Sequence, residues 1–106
     1  MPAYVVNQFS IHDVDRYKEY QKIGAPSIAQ YGGRVLAAGT EVVDYEGVTF
    51  PEGPQPRVII LEFDSLEAAK RWYESPEYQS AIPIRESCAK GRVFIVDGVQ
   101  SASINT

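Results

Sequence analysis

The spacing of apolar residues along the chain changes from two to three or four and back again, which predicts alternating strands and helices. Ala3–Phe9 is a β-type run near the N-terminus. Asp13 follows where the N-cap of a helix is expected, and Gly32–Gly33 stand where that helix should end. The apolar stripe between them has helical spacing and consists of Tyr17, Tyr20, Gly24, Ile28 and Tyr31.

A proline, Pro26, falls inside this stripe. Proline lacks the backbone N–H that a helix interior needs, and it disfavours helical dihedrals at the residue before it. We therefore expect a break or kink near Gly24–Ala25 and a short second helix that begins at Pro26.

The second half of the chain predicts a strand, then helices, then a strand. Arg57–Asp64 is the strongest strand pattern, and Ser65 follows it as a helix N-cap. Ser75–Pro76 predicts a new helix start, with serine as N-cap and proline at the first helical position.

Four further segments complete the prediction along the whole chain. They are strand pieces at Arg34–Ala38 and Val42–Tyr45, an exposed loop at Glu46–Pro56, and a final strand at Arg92–Val96.

The order β-α-β-β-α-β predicts an α+β, ferredoxin-like fold, an antiparallel sheet with both helices on one face and the first and third strands central. The third strand is apolar on both sides. Val58 and Ile60 point to one face, and Ile59, Leu61 and Phe63 point to the other. Helices cover one face only, and soluble monomers rarely expose a large apolar patch. The sequence therefore predicts a homodimer formed through the other face.

Composition limits the classes of partner. The 106 residues fit one domain, and 10 basic against 14 acidic residues give a net charge of −4, which argues against nucleic acid and anionic membranes as partners. Cys88 is alone, so no intramolecular disulfide is expected. The N-terminal residues show neither a basic signal-peptide region nor a long apolar run. We expect a cytoplasmic protein.

Three segments resemble a known family. YGGR at Tyr31–Arg34, LEFDSLEAAKRWYESPEYQ at Leu61–Gln79 and VFIVDGV at Val93–Val99 are similar to the DUF1330 family, a domain of unknown function. The similarity extends over nearly the whole chain, from Ala3 to Val99. It implies membership of the dimeric α/β-barrel superfamily, whose small ferredoxin-like subunits pack their sheets face to face as homodimers. It implies no particular reaction.

These observations give one DUF1330-like domain over residues 1–106, with residues 100–106 as a loose C-terminal tail. The Val48–Pro56 segment is a long insert relative to the family pattern, and we expect it to affect access to any site.

The usual reactive side chains are sparse. His12, the only histidine, is read as a surface residue at a helix entry rather than as a general base, because no serine or cysteine nucleophile adjoins it. Cys88 has no CxxC partner and is read as a structural thiol. With one histidine and one cysteine, we expect no metal site and no cofactor.

Two charged residues are candidates for catalysis. Glu62 lies within a central strand between apolar neighbours, where a carboxylate is costly unless it is paired or acts as a base. The alternative is a structural role, with hydrogen bonds to Arg34, Arg57 or a partner subunit. Arg85 is either an anion-binding group or an ordinary solvated helix charge.

Aromatic residues on the helices suggest a cavity between helices and sheet. Most of them are explained by core packing, but several tyrosine hydroxyls under helices also create the sparsely polar, largely apolar environment that binds small molecules. We predict that one cavity is bordered by Glu62, Arg85, Tyr20, Trp72 and Tyr78.

The function predicted from these residues is binding of a small organic acid or aromatic ligand by a homodimer. The alternative is a cofactor-free isomerase, lyase or oxygenase, by analogy with other dimeric α/β-barrel proteins, in which Glu62 is the base and Arg85 or a tyrosine stabilises an oxyanion.

Overall fold

A computed structural model describes residues 1–47 and 55–99. Four strands form one antiparallel sheet in the order β2-β3-β1-β4, so the first and third strands are central and the ferredoxin-like prediction is confirmed. The elements are β1 (Ala3–Ile11), α1 (Val14–Gln30), β2 (Arg34–Gly39), β3 (Gln55–Phe63), α2 (Leu66–Tyr73), α3 (Pro76–Gln79), α4 (Ile82–Cys88) and β4 (Ala89–Asp97).

Helix α1 is continuous through Pro26, so the predicted break near Gly24–Ala25 and the separate helix beginning at Pro26 are wrong. Asp13 caps its start by accepting a hydrogen bond from the Arg16 amide. Beyond Pro26, the buried Ser27 hydroxyl accepts a 2.9 Å hydrogen bond from the indole N–H of Trp72. This hydrogen bond and the burial of Gly24 and Ser27 are tertiary contacts that hold α1 on the rest of the protein, and tertiary contacts commonly override the local preference of proline to end a helix.

The two glycines after α1 have separate structural reasons. Gly32 has φ 82°, in the left-handed region that favours glycine. A Cβ on Gly33 would lie 2.5 Å from the ring of Phe63, so only glycine lets the chain pass this close to β3. Together they turn the chain from α1 into β2.

The predicted strand at Val42–Tyr45 is absent, because β2 ends at Gly39. The register pairs Gly39 with Val58, and extending it would place Glu41 opposite Pro56, which has no N–H to donate to the ladder. The predicted loop at Glu46–Pro56 is shorter than expected at its far end, since Gln55 and Pro56 belong to β3. The rest of the insert, residues 48–54, and the predicted tail, residues 100–106, lie outside the described residues.

The two faces of the sheet differ in what covers them. Side chains on the helix-facing side of β1 and β3, such as Val5, Leu61 and Phe63, are almost fully buried. Their neighbours along the strands point to the opposite face, which no described element covers. On this face, here called the open face, lie Tyr4, Val6, Gln8, Val58, Ile60, Glu62, Arg92, Phe94 and Val96.

Ser75 caps α3 as its position before Pro76 predicts. Its hydroxyl accepts a hydrogen bond from the Tyr78 amide at 3.2 Å and donates one to the Trp72 carbonyl at 2.6 Å. Ser75→Ala removes both bonds at a buried position, so we expect the free energy of unfolding in urea to fall by about 1 kcal/mol. Ser80→Ala, at an exposed helix end, is the control and should change it by less than about 0.5 kcal/mol. Equal stability of the two variants would contradict the assignment of Ser75 as a cap.

Candidate functional site

A cavity of about 120 Å³ lies between α1 and the β2–β3 side of the sheet. The part of α1 that covers it starts at Tyr17 and ends at Ile28, and Val35 and Ala38 of β2 form its exposed edge. Its remaining walls come from the helix-facing side of β1 and β3 and from α2 and α3. The lining residues are Asn7, Tyr17, Tyr20, Gln21, Gly24, Ala25, Ile28, Val35, Ala38, Arg57, Ile59, Leu61, Trp72 and Tyr78.

Aromatic rings form one wall of this cavity. The rings of Trp72 and Tyr78 are 4.3 Å apart between centroids, and both residues are 1% exposed. Tyr20 packs edge-on against Tyr78 at 6.2 Å. Tyr20, Trp72 and Tyr78 therefore border one cavity, and their role in substrate binding stays a prediction.

Three polar atoms of the lining residues have no hydrogen-bond partner in the described part of the chain: Asn7 Oδ1, Tyr17 OH and Arg57 Nε. The Asn7 amide is held in one orientation, because its Nδ2 donates to the Ile59 carbonyl at 3.3 Å. Its oxygen is then left as a buried acceptor. Buried polar groups without partners are rare in proteins and are costly, so three on one cavity call for an explanation.

Arg57 supplies the positive charge at this cavity. Its guanidinium carbon lies 5.8 Å from the centroid of the Tyr17 ring, a cation–π distance, and the side chain is half-buried. Among the described residues no carboxylate lies within ion-pair distance of it. Burial raises the pKa of the Tyr17 phenol, and the charge of Arg57 together with a polar contact from its side chain opposes that rise, so Tyr17 is neutral at pH 7. This contact does not have the geometry of a full hydrogen bond, which leaves the Tyr17 hydroxyl unsatisfied.

A chain of hydrogen bonds leads from the cavity to Arg85. The hydroxyls of Tyr20 and Tyr78 are 2.8 Å apart, and Nη1 of Arg85 donates to the Tyr78 hydroxyl at 2.8 Å. Burial, with the neighbouring Tyr78, raises the pKa of Tyr20 well above its usual range, so Tyr20 keeps its proton. Arg85 does not line the cavity. Its guanidinium lies over the ring of Phe9 and borders a separate surface depression beside Lys90.

Glu62 is on the open face, so the prediction of one cavity bordered by all five residues is wrong. Glu62 pairs with Tyr4 across the β1–β3 ladder and forms an ion pair with Arg34 of β2. A hydrogen bond to this carboxylate is the main cause of a raised pKa at Tyr4. Leu61 and Phe63 point to the helices, so the period of two in a strand places Glu62 on the other side. The geometry matches the structural alternative of a pairing with Arg34.

The remaining reactive residues lie away from the cavity. His12 is exposed, at the junction of β1 and α1. Cys88 is fully buried, and burial raises the pKa of its thiol, which disfavours the reactive thiolate. Within residues 1–47 and 55–99, no three His, Cys, Asp or Glu side chains come together as metal ligands would.

Sequence reasoning missed Asn7 and Arg57 as site residues. A signal for both exists in the strand alternation. Asn7 occupies an inward position of β1 between Val5 and Phe9, and Arg57 has the same parity as Ile59 in β3. A polar residue at an inward position is the exception that marks a buried site. Recognising it requires knowing which side of the strand faces the helices.

The sheet order, with all helices on one face, is the fold of the dimeric α/β-barrel class of proteins. The chain belongs to the DUF1330 family, described as a domain of unknown function, whose family model matches residues 2–99. No curated protein matches the sequence. In the part of the chain that the structure describes, no helix is long and apolar enough to cross a membrane.

Three solved structures of other proteins are similar in fold to this chain. RPA0582, a protein of unknown function from Rhodopseudomonas palustris, has a TM-score of 0.74 at 18% identity, covering 93% of this chain and 83% of that chain. SnoaB, a cofactor-independent oxygenase from Streptomyces nogalater, has a TM-score of 0.67 at 12% identity, with coverage of 94% and 95%. The de novo designed protein Foldit4 has 0.63 at 10% identity, with coverage of 93% and 100%. An enzyme and a designed protein share this fold, so the fold alone does not define an activity.

Because the Tyr17 hydroxyl has no hydrogen-bond partner among the described residues, its removal should affect stability differently from removal of the Tyr20 hydroxyl. Tyr17→Phe removes a buried polar group without a partner, so the free energy of unfolding should stay unchanged or rise by up to about 1 kcal/mol. Tyr20→Phe, the matched control, breaks the bond to Tyr78 and should lower it by about 1 to 2 kcal/mol. Urea denaturation of the ligand-free protein measures both. A larger loss for Tyr17→Phe than for Tyr20→Phe would show that the Tyr17 hydroxyl has a partner.

Proposed function

We propose that this protein binds a small organic acid, aliphatic or aromatic, in the cavity between α1 and the sheet, and that it does so as a homodimer. The observation that carries the proposal is the set of three unpartnered polar atoms, on Asn7, Tyr17 and Arg57, on the walls of one otherwise largely apolar cavity. Such sites combine apolar walls with a few polar groups that orient the ligand.

The polar atoms define the chemistry of the ligand. Arg57 Nε is a donor that carries positive charge, and the Tyr17 hydroxyl is a donor beside it, so a carboxylate oxygen is the group that satisfies both. Asn7 Oδ1 is an acceptor, and it is satisfied by a ligand hydroxyl or a bridging water. A ligand anion would also supply the counter-charge that Arg57 lacks among the described residues.

The size of the cavity limits the ligand to a few carbon atoms or one ring. A buried cavity of roughly 150 Å³ accommodates benzene, and this one measures about 120 Å³. Drug-sized ligands need several times that volume. Short carboxylates fall within this size, whereas a single-ring acid such as benzoate would have to extend past the exposed edge at Val35 and Ala38.

The homodimer is supported by the open face. Val6, Ile60 and Phe94 lie side by side at its centre, in register across β1, β3 and β4. Val96 at its edge is 47% exposed. A second copy of the same face is the simplest cover for such a patch, and face-to-face pairing is what the fold class implies.

A cofactor-free enzyme is the second candidate, favoured by the shared fold with the oxygenase SnoaB, a likeness of fold alone at 12% identity. The lining of the cavity gives it less support than binding. No carboxylate or histidine is among the lining residues, and Glu62, the candidate base, is on the open face. Any proton transfer in the cavity would have to use a tyrosine.

Binding of butyrate tests the main proposal. Calorimetric titration should give a measurable Kd for wild type, and affinity should fall for straight-chain acids too long for the cavity. Arg57→Met removes a charged hydrogen-bond donor worth about 1.5 to 3 kcal/mol, so the Kd should rise at least roughly tenfold. Arg71→Met, at an exposed position on α2, is the matched control and should bind as wild type does.

Gly24→Ala provides a second arm that separates binding from folding. A Cβ at this position would sit 3.5 Å from the Tyr20 ring and 3.6 Å from that of Tyr78, an ordinary contact. Alanine favours a helix over glycine by up to about 1 kcal/mol, so the variant should be at least as stable as wild type. It should nevertheless bind butyrate less tightly, because the cavity is smaller. Wild-type affinity in both Arg57→Met and Gly24→Ala, or no acid binding at all, would contradict the proposal.

The homodimer predicts a mass in light scattering of about twice the 11.8 kDa of one chain. Ile60→Asp places a carboxylate at the centre of the open face and should give monomers or insoluble protein. Val43→Asp, an exposed position outside the sheet, should stay dimeric. A monomeric wild type at micromolar concentration would exclude the homodimer.

A further inference from the structure

The two buried hydroxyls of Tyr20 and Tyr78 hold one hydrogen-bonding proton more than they use. The two hydroxyls carry one phenolic proton each and share a single hydrogen bond. The hydrogen bond from Arg85 to Tyr78 uses a proton of the guanidinium and neither phenolic proton. Neither hydroxyl has another hydrogen-bond partner in the described residues. Since one bond between two phenols uses one of their two protons, the other phenolic proton is left without an acceptor. Both tyrosines line the cavity.

Arg85 decides which tyrosine carries the spare proton. A guanidinium can only donate, so the Tyr78 oxygen accepts from Arg85. The positive charge polarises the Tyr78 O–H group and makes it the better donor of the pair. Tyr78 then donates to Tyr20, and the proton of Tyr20 remains free to reach a group in the cavity.

We infer that the Tyr20 hydroxyl is a further polar contact for the ligand, oriented by Arg85 through Tyr78, and that the ligand is a small organic acid with an additional, uncharged acceptor oxygen such as a ketone. This inference rests on the proposed function. The carboxylate binds at Arg57 and Tyr17, and the carbonyl oxygen accepts from Tyr20. Arg85 touches neither the cavity nor the ligand and is a positioning residue.

The protonation of Tyr20 and the position of Arg85 also explain why a carbonyl oxygen of the ligand, and not a second carboxylate, is the expected hydrogen-bond acceptor for Tyr20. The raised pKa of Tyr20 keeps its proton in place, so it donates without giving up the proton. The charge of Arg85 is separated from the cavity by Tyr78, which is 1% exposed. A second anionic group would therefore lose its hydration without meeting a cation directly.

The test compares butyrate with 2-oxobutyrate, two acids of equal carbon number that differ in one carbonyl group. For each variant the ratio of the two Kd values is measured by titration, because the ratio cancels changes in folding and cavity shape that affect both acids. One neutral hydrogen bond predicts that wild type prefers 2-oxobutyrate by about fivefold. Tyr20→Phe should reduce the ratio to about one.

Arg85 is tested by the same ratio. Arg85→Met removes the donor to Tyr78 and should reduce the preference toward one, whereas Arg85→Lys keeps a cationic donor and should restore most of it. Arg71→Met is the control and should keep the wild-type ratio. Butyrate binding with a wild-type ratio of one, or a ratio that Tyr20→Phe and Arg85→Met leave unchanged, would overturn this inference and leave the proposed function standing. Failure of both acids to bind would overturn both.

Discussion

The hydrogen bond between the Trp72 indole and the Ser27 hydroxyl is the contact on which the rest of the structure depends. Both residues are 1% exposed. The Ser27 hydroxyl, which accepts from Trp72, also donates a hydrogen bond to the Gly24 carbonyl. The chain of bonds joins α2 to the second half of α1. It keeps α1 over the β2–β3 side of the sheet, and so it influences the distance between α1 and the sheet across the cavity. It also satisfies a Trp72 donor that would otherwise be buried without a partner.

This contact explains the main error of local sequence reasoning. Pro26 predicts a helix break, and an isolated peptide would follow that preference. In the folded chain, Ser27 and Gly24 are held by Trp72 and by the close approach of Tyr78, residues more than forty positions away. Nothing in a local window around Pro26 contains that information. The four strands of the sheet and the caps at Asp13, Ser65 and Ser75 are predictable because their patterns depend on residues within a few positions, whereas the wrongly predicted strand at Val42–Tyr45 depends on its pairing with β3.

The candidate site was predictable in part, for a different reason. Tyr20, Trp72 and Tyr78 are found from helical spacing, since a stripe that faces a sheet borders whatever space remains between them. The sequence predicts the wrong side for Glu62, because a strand that is apolar on both faces gives no local sign of which face the helices cover. Asn7 and Arg57 are recognisable only after that choice has been made, as polar residues among inward positions of β1 and β3.

The polar atoms in the cavity and the apolar residues on the open face are two sides of the same strands. Asn7 follows Val6 in β1, and Ile59 precedes Ile60 in β3, so cavity and open face are separated by one layer of backbone. The Asn7 amide bonds to the Ile59 carbonyl and thereby fixes the acceptor in the cavity to the strand that carries the centre of the open face. The paired strands of the sheet hold the cavity and the open face at fixed positions relative to each other. Buried polar groups without partners lower stability, and proteins keep such groups mainly at functional sites. The helix side of this sheet carries three of them, whereas Arg34 and Glu62 on the open face satisfy each other as an ion pair. The chemistry of the protein is therefore to be sought on the helix side.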